Sequence, residues 1–221
     1  MAKRLRGPYR RAGSLPNLVI MAKTPLMGRA KQRLGRSIGP TAALRFYRSC
    51  LSHTVLRLAR SPRWRTCIAV TPDIDRGAAF WRGLAGGSGA LLMAQGSGDL
   101  GKRMQRIFDR LGPGPTLIVG SDIPAMRSAH IACAFKLLGS ADAILGPALD
   151  GGYWLIGMRG PRRLAPFMGV RWSTPHALQD TIVNLGERRV VFALILGDVD
   201  TVESFASEGQ SAERLIHQAP P

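Results

Sequence analysis

Apolar residues follow two alternating spacings along most of the chain. Short apolar runs, several of them rich in β-branched residues, predict strands at residues 18–22, 66–71, 90–94, 116–119, 141–146 and 190–196. Between these runs, the pattern predicts helices over residues 40–59, 77–84, 128–138 and 174–185, and a further helix that starts near residue 100. Strands alternating with helices predict an α/β fold, a three-layer α/β/α sandwich around a mainly parallel sheet.

The chain has 221 residues, enough for one α/β domain with a proper core. We expect that domain to cover residues 16–221, preceded by a disordered basic arm over residues 1–15. The longest apolar runs fall well short of the roughly 20 residues that cross a bilayer, so we expect no membrane span. Cys50, Cys67 and Cys133 are far apart in apolar surroundings, which is typical of buried thiols in a reducing, cytoplasmic protein.

The formal net charge of +17 comes from the first third of the chain. Residues 1–72 contain 16 of the 31 Lys and Arg residues and no Asp or Glu, whereas the rest of the chain carries 15 basic and 14 acidic residues. Such a basic surface is typical of proteins that bind a polyanion. The aromatic residues, however, are sparse and not interleaved with the basic ones, which argues against nucleic acid as the partner.

The fourth predicted strand runs straight into Gly120, Ser121, Asp122 and a proline. Open α/β sheets bind ligands outside the carboxyl ends of their strands, so a carboxylate there is well placed to hold a metal ion against a phosphate. The alternative is that Asp122 caps the helix that follows, because Asp is among the favoured N-cap residues.

The loop after the first predicted strand is rich in cations. It contains Lys23, Gly28, Lys31 and Arg33 close to the start of the next helix. Such a loop is a natural site for a polyanion, since loop amides and a helix N-terminus add positive potential. We therefore predict that these four residues bind nucleotide phosphates; a solvated basic loop without a ligand is the alternative.

A glycine-rich loop precedes the helix near residue 100. Glycines allow a ligand to approach the backbone closely, so Asp99, Gly101 and Arg103 are candidate nucleotide-binding residues. Asp99 is either the N-cap of that helix or a contact to a ribose or base, and the two roles are compatible.

An acidic residue, two glycines and two aromatic residues follow the fifth predicted strand. We interpret Asp150, Gly151, Gly152 and Trp154 as a second wall of the same cleft, because a plain hairpin would need the Asp-Gly turn but not the aromatic pair. Trp154 and the later Trp172 are candidates for stacking on a sugar or aglycone. For either tryptophan, a buried core position is the alternative.

Six short motifs occur in the order found in one bacterial family. They are Ala22-Lys23-Thr24-Pro25 with Gly28, Lys31 and Arg33-Leu34; Gly98-Asp99-Leu100-Gly101 with Arg103-Met104; Gly120-Ser121-Asp122-Ile123-Pro124; Gly146-Pro147-Ala148 with Asp150-Gly151-Gly152-Tyr153-Trp154; Trp172-Ser173-Thr174; and Asp198-Val199-Asp200-Thr201. Over residues 17–205 the chain resembles a family long described only as a domain of unknown function and now described as radical-SAM/selenodomain-associated or arsenosugar-biosynthesis glycosyltransferases. One departure is Gln32, where that family usually has Thr.

The resemblance implies a GT-A nucleotide-diphospho-sugar transferase fold, related to guanylyl- and molybdenum-cofactor nucleotidyltransferases. It also implies that Asp122 binds a divalent metal, Mg²⁺ or Mn²⁺, on the nucleotide's phosphates and that Asp150 supplies a second ligand. We further assign to Asp150 the removal of the acceptor's proton. The sequence leaves open whether Asp198 and Asp200 reach the site or cap a last helix in the C-terminal segment that follows them.

These features favour a metal-dependent glycosyltransferase that moves a sugar from a nucleotide-diphosphate donor to a small-molecule acceptor. The nearest alternative is a nucleotidyltransferase, guanylyl- or cytidylyltransferase-like, that joins an NMP unit to a phosphorylated acceptor. A third hypothesis, from a different class, is a protein that binds nucleic acid or an anionic surface through its basic first third.

Overall fold

The structure is a computed structural model and describes residues 15–112, 114–159 and 166–197. Residues 1–14 of the predicted basic arm, together with Asp198 and Asp200, lie outside the described residues. The strands of the described part are β1 (Asn17–Lys23), β2 (Arg65–Thr71), β3 (Leu91–Ala94), β4 (Thr116–Gly120), β5 (Ala143–Pro147), β6 (Tyr153–Met158) and β7 (Val190–Phe192). Its helices are α1 (Gln32–Ile38), α2 (Pro40–Ala59), α3 (Ala79–Ser88), α4 (Leu100–Leu111), α5 (Ser128–Leu138) and α6 (Ala177–Leu185), with a 3₁₀ helix at Asp73–Gly77.

The predicted α/β sandwich is confirmed. The described strands form one sheet in the order β3-β2-β1-β4-β6-β5-β7, and β6 runs antiparallel to both of its neighbours. Helices α2, α3 and α5 pack on one face of this sheet, and α4 and α6 pack on the other. Successive side chains of β1 point to opposite faces of the sheet. Leu18 and Ile20 therefore face the first set of helices, and Val19 faces the second.

Several predicted boundaries are wrong, each for a local reason. Helix α3 begins after a 3₁₀ turn and continues through three glycines to Ser88, anchored by the fully buried Trp81. The last strand ends at Phe192, and Leu194 and Ile195 after it are exposed, although the Ala193 amide still donates to the Leu145 carbonyl of β5. The short helix α1 comes before the predicted 40–59 helix and is separated from it by Gly39 at positive φ.

Two further expectations need correction. The helix predicted over residues 174–185 begins later, since α6 starts at Ala177 with His176 at the N-cap, and the Thr174 hydroxyl accepts a hydrogen bond from the His176 amide. Cys133 lies on an exposed face of α5, whereas Cys50 and Cys67 are buried as expected. Within the described residues, no helix is both long enough and apolar enough to cross a membrane.

Candidate active site

The chain reverses its direction of travel across the sheet beside β1. Strands β2 and β3 extend the sheet on one side of β1, and β4 returns to pair with β1 on the other side. Such a switch point leaves a crevice at the carboxyl ends of the two strands, which is where α/β folds bind ligands. Lys23 ends β1 at this crevice, and Asp122 lies just after β4. Because β6 is antiparallel, its amino-terminal residues Tyr153 and Trp154 reach the same edge.

Lys31 and Asp122 form an ion pair across this crevice. The Lys31 Nζ atom lies 2.5 Å from Asp122 Oδ2, and 4% of the lysine side chain and 28% of the aspartate side chain are exposed. Lys31 precedes α1 and has a left-handed backbone conformation, with φ 52°. Non-glycine residues adopt this conformation infrequently and often at functional sites.

Asp122 does not cap a helix. Helix α5 begins six residues later, at Ser128, with Arg127 at its N-cap. The intervening loop is held from α2, because the Arg57 guanidinium donates a 2.6 Å hydrogen bond to the carbonyl of Met126. The capping alternative is therefore wrong, and the Asp122 carboxylate is directed instead to the cleft and to Lys31.

Tyr47 joins the loops that carry these charges. Its hydroxyl accepts a hydrogen bond from the Lys23 amide at 3.0 Å, donates to the Lys23 carbonyl at 2.9 Å and lies 3.3 Å from the Ser121 hydroxyl. Burial raises the pKa of Tyr47 to about 12, so the phenol stays protonated and able to donate. The neighbouring Cys50 thiol donates to the Ser121 carbonyl, and burial raises its pKa to about 12.

Gln95 performs a similar role on the other side of β1. Its buried side-chain amide donates to the Ala22 carbonyl at 3.1 Å and to the Ala69 carbonyl at 2.7 Å, joining the ends of β1 and β2. The Arg106 guanidinium donates to the Gln95 carbonyl. Neither Tyr47 nor Gln95 was predicted at the site, because a Tyr in an apolar helical stripe and a Gln before a glycine loop have no distinctive spacing.

Three cavities in the described structure meet at Asp122. A cavity of about 250 Å³ is lined by four basic residues, Lys23, Arg29, Lys31 and Arg33. A cavity of about 220 Å³ on the other side is lined by Asp150, Gly152, Tyr153, Trp154 and Trp172. A third, of about 370 Å³, lies along the strand ends and includes Lys23, Thr71, Gln95, Arg103 and Tyr153. Asp122 is thus placed between a strongly basic compartment and an aromatic one.

The Asp150 turn forms part of the aromatic compartment. Asp150 is exposed, and its carboxylate accepts a 2.9 Å hydrogen bond from the Gly152 amide, which orients the side chain. Gly151 has φ 81° and its α-carbon lies so close to Pro175 that an added Cβ would be 2.5 Å from the Pro175 Cα. The Gly151 carbonyl also accepts from the Leu178 amide of α6. The two glycines are therefore explained by turn geometry and by close packing against the segment before α6.

The predicted nucleotide-binding residues near α4 divide into two groups. Asp99 is the N-cap of α4, accepting a 2.8 Å hydrogen bond from the Lys102 amide. Gly101 is buried against Phe167 and Trp172, where a Cβ would approach Phe167 Cβ to 2.7 Å. Only Arg103 of the three lines the cavities described above, and its guanidinium also donates to the Gly98 carbonyl.

Gly28 lies at positive φ in the exposed basic loop and does not line these cavities, although its carbonyl accepts a 2.5 Å hydrogen bond from the Gln32 side chain.

Trp154 is buried, and its indole N–H donates to the Leu194 carbonyl at 2.8 Å. Trp172 is half-buried and contacts Tyr153 edge-on, with ring centroids 6.3 Å apart. Both tryptophans line the 220 Å³ cavity, and Trp172 presents the more accessible ring.

Two carboxylates are available to a metal ion. Across the residues that the structure describes, no group of three or more His, Cys, Asp or Glu side chains could hold one. Asp122 and Asp150 nevertheless line one cavity. Mg²⁺ is commonly held by one or two carboxylates together with substrate phosphates, so this pair of oxygen donors fits such an ion.

This arrangement is a three-layer α/β fold with a candidate site at the switch point of its sheet. A family model described as "Uncharacterized protein conserved in bacteria (DUF2064)" matches residues 54–174, more than half of the chain. The chain therefore belongs to this family. No curated protein sequence matches it.

Solved structures support the fold assignment. A protein from Desulfovibrio desulfuricans G20, provisionally named a nucleotide-diphospho-sugar transferase, is 27% identical with a TM-score of 0.80; the match covers 93% of this chain and 98% of that one. A 4-diphosphocytidyl-2C-methyl-D-erythritol synthase from Anaerococcus prevotii DSM 20548 is 9% identical with a TM-score of 0.61, covering 92% and 96%. Rv0371C from Mycobacterium tuberculosis H37Rv, crystallised with manganese, is 15% identical with a TM-score of 0.50, covering 93% and 99%. Together these neighbours support a nucleotide-diphospho-sugar-transferase-like fold for this chain.

Proposed function

We propose that this protein is a metal-dependent glycosyltransferase that moves a sugar from a nucleotide-diphosphate donor to a small-molecule acceptor. The observation that carries the proposal is the position of Asp122 between a cavity with four basic residues and a cavity with two tryptophans. The provisional name of the Desulfovibrio neighbour, which is the most similar of the structures described above, agrees with this choice.

The basic compartment is suited to the donor's diphosphate. Sugar transfer builds negative charge on the leaving diphosphate, and cations placed beforehand stabilise that charge in the transition state. Lys23, Lys31 and Arg33 were predicted for this role, and the cavity adds Arg29. Arginine suits phosphate recognition because its planar guanidinium can donate two parallel hydrogen bonds.

Asp122 and Asp150 are the residues that would hold a divalent ion, Mg²⁺ or Mn²⁺. When bound, such an ion supplies charge neutralisation at the diphosphate and orients it for departure. The manganese in the Rv0371C crystal agrees with a divalent ion in this fold.

The aromatic compartment is suited to the acceptor. Asp150 is exposed at its rim and is oriented by the Gly152 amide, so its carboxylate is positioned to accept a proton from an acceptor hydroxyl. The half-buried ring of Trp172 provides an apolar surface for the sugar or the acceptor. Gly152 lines this cavity and would bring the backbone close to the same substrate, whereas Gly151, also predicted to bind substrate, is packed against Pro175.

A thermal-shift panel of nucleotide sugars and NTPs, with and without Mg²⁺ or Mn²⁺, tests the proposal. A ligand that binds only the folded state at a hundredfold excess over its Kd stabilises the protein by about 2.7 kcal/mol. We expect one nucleotide sugar to give a metal-dependent shift that is lost in Asp122→Ala. The absence of any shift in the wild type would contradict the assigned activity.

A second candidate function is nucleotidyl transfer. It is favoured by the two carboxylates in one cavity and by the similarity of fold to the Anaerococcus protein, a diphosphocytidyl-methylerythritol synthase. The products separate the two candidates, since a glycosyltransferase releases a nucleoside diphosphate and a nucleotidyltransferase releases pyrophosphate. We expect the nucleoside diphosphate.

A further inference from the structure

We infer that Lys31 is a displaceable counter-ion of Asp122, and that a divalent cation binds this carboxylate weakly until an incoming phosphate group draws the lysine away. The inference rests on the proposed function, because it takes Asp122 as a metal ligand, and it concerns how the occupants of that site affect one another. It makes the donor's phosphate strengthen metal binding.

The ion pair competes directly with a metal ion for the carboxylate. Lys31 Nζ lies 2.5 Å from Asp122 Oδ2, so the ammonium group occupies one side of that oxygen and neutralises the carboxylate's charge. The lysine side chain is almost completely shielded from water, with 4% exposed, so little solvent weakens the attraction. A divalent ion that arrives alone would also meet the positive charge of the ammonium group at short range.

The backbone around Lys31 is compatible with movement of the side chain. Lys31 has a left-handed conformation that non-glycine residues seldom adopt, and its side chain makes no capping hydrogen bond to α1. The residues from Leu26 to Arg29 before it are exposed, and Gly28 has open space around its α-carbon. The loop that precedes Lys31 is therefore exposed enough to move with the lysine side chain.

The neighbouring charges supply a reason for the lysine to leave. Lys23, Arg29 and Arg33 line the same cavity as Lys31, and Asp122 is the one acidic residue among its described lining. A phosphate group attracted by these cations offers Lys31 another anion to pair with in place of Asp122. Thermodynamic linkage then requires reciprocity: the phosphate group tightens metal binding by the same factor as the metal tightens phosphate binding.

The test measures Mn²⁺ binding by electron paramagnetic resonance of the free ion, with no nucleotide present. We compare the full-length wild type with Lys31→Met and with Lys31→Asn, because Asn tolerates the left-handed conformation better than Met. Both variants are expected to bind Mn²⁺ about tenfold more tightly or better, the scale expected when one unit charge is removed at close range. The gain should disappear in the double variants that also carry Asp122→Asn.

Two control variants remove a lysine without freeing Asp122. Lys23→Met removes a cation from the same cavity, and Lys102→Met breaks an exposed ion pair in which Nζ lies 3.7 Å from Asp99 Oδ2. We expect each to change Mn²⁺ affinity less than threefold, about the effect of a screened charge. If Lys23→Met raised Mn²⁺ affinity as much as Lys31→Met, the gain would reflect any loss of positive charge near the cavity, and the inference would be overturned.

A second arm uses inorganic phosphate as the probe anion at constant ionic strength. Phosphate should tighten Mn²⁺ binding by the wild type and have a smaller effect on Lys31→Met, in which Asp122 is already available. Equal phosphate effects in both proteins would overturn the coupling.

Equal Mn²⁺ affinity of the wild type and both Lys31 variants, or no binding by any of them, would overturn the inference as a whole. The proposed function would be unaffected by these results, since it stands or falls with the donor-specific thermal shift.

Discussion

Tyr47 positions the two loops that carry Lys23 and Asp122. Its hydroxyl is bonded to both the amide and the carbonyl of Lys23 and lies within 3.3 Å of the Ser121 hydroxyl. One buried phenol therefore fixes the end of β1 against the residue before the metal-binding candidate. Loss of this group should affect stability as well as the spacing of the charges.

We expect Tyr47→Phe to lower the free energy of unfolding by about 1–3 kcal/mol, because the Lys23 amide would be left without its partner. Urea unfolding measures the change. The matched control is Tyr153→Phe, since the Tyr153 hydroxyl accepts a weaker hydrogen bond, 3.4 Å long, from Thr181 Oγ1. A cost in Tyr47→Phe no larger than that in the control would contradict the bridging role.

Gly151 shows how closely the Asp150 turn is packed. We expect Gly151→Ala to lower stability by about 2–4 kcal/mol, since the new methyl group would overlap Pro175 in addition to facing an unfavourable φ. Gly28→Ala is the control, because Gly28 has φ 69° but nothing within 4 Å of an added Cβ, and its cost should be about 1 kcal/mol. Thermal unfolding of the two variants measures the difference, and equal costs would show that the turn moves freely.

At the scale of elements, an ion pair joins the segment containing Trp172 to helix α6. The Arg171 guanidinium donates two hydrogen bonds to the Asp180 carboxylate, at 2.8 and 2.9 Å, and the Arg171 amide donates a third at 3.0 Å. These hydrogen bonds lower the pKa of Asp180 to about 2. The aromatic wall of the site is therefore attached to α6 by a group that titrates in acid.

The sign of the pH dependence follows from that pKa. Because the folded-state pKa of Asp180 lies below its ordinary value of 3.8, the stabilisation is present above about pH 4 and is lost as the pH falls toward 2. We expect the unfolding free energy of the wild type to fall more steeply over this window than that of Asp180→Asn. Parallel curves from pH 5 to pH 2, measured by urea unfolding, would contradict the assignment.

The alternating pattern predicted most of these elements because most follow one periodicity and end at Gly, Pro or Asp. Helices 40–59 and 128–138 were predicted with the bounds that the structure has. Strand β6 was not predicted as a strand. Its aromatic first residues were interpreted as a wall of the cleft, and its antiparallel direction depends on pairing with β4. The boundaries of α3 and α6 depend on tertiary packing, which overrides local propensity.

The candidate site was predictable in part for the same reason. A charged residue just after an apolar strand, such as Asp122, is recognisable because strand ends converge at one edge of the sheet. The contact between Lys31 and Asp122 was not predictable, since 91 residues separate them and their meeting depends on the order of the strands. Gly101 shows the opposite case: its sequence context indicates a ligand, whereas the structure gives it a packing role.

At the scale of the whole molecule, positive charge is concentrated on one part of the chain. Residues 1–72 contain no acidic residue, and four of their basic side chains line the basic cavity at the switch point. A field of this sign attracts anionic donors and raises their local concentration. The cations of the site and those of residues 1–15 are therefore expected to have separable effects.

Deletion of residues 1–15 tests that separation. We expect the shortened protein to keep the metal-dependent shift with its nucleotide sugar, because Lys31 and Asp122 lie outside the deleted segment. Retention on heparin at moderate salt should fall, since fewer cations remain to displace counter-ions. Loss of the nucleotide shift together with heparin retention would favour the anionic-surface hypothesis.

The most direct test is a comparison of reaction rates between the wild type, Asp122→Asn and Asp99→Asn. The rate measured is that of nucleoside diphosphate release from the donor that the thermal-shift panel identifies. Asp99 caps α4 and does not line the cavities at Asp122, so its variant is the matched carboxylate control. We expect a loss of about a hundredfold or more in Asp122→Asn, the scale on which a preorganised electrostatic group contributes, and a loss below about threefold in Asp99→Asn. An Asp122→Asn enzyme that retains the wild-type rate would contradict the central claim that transfer takes place at this carboxylate.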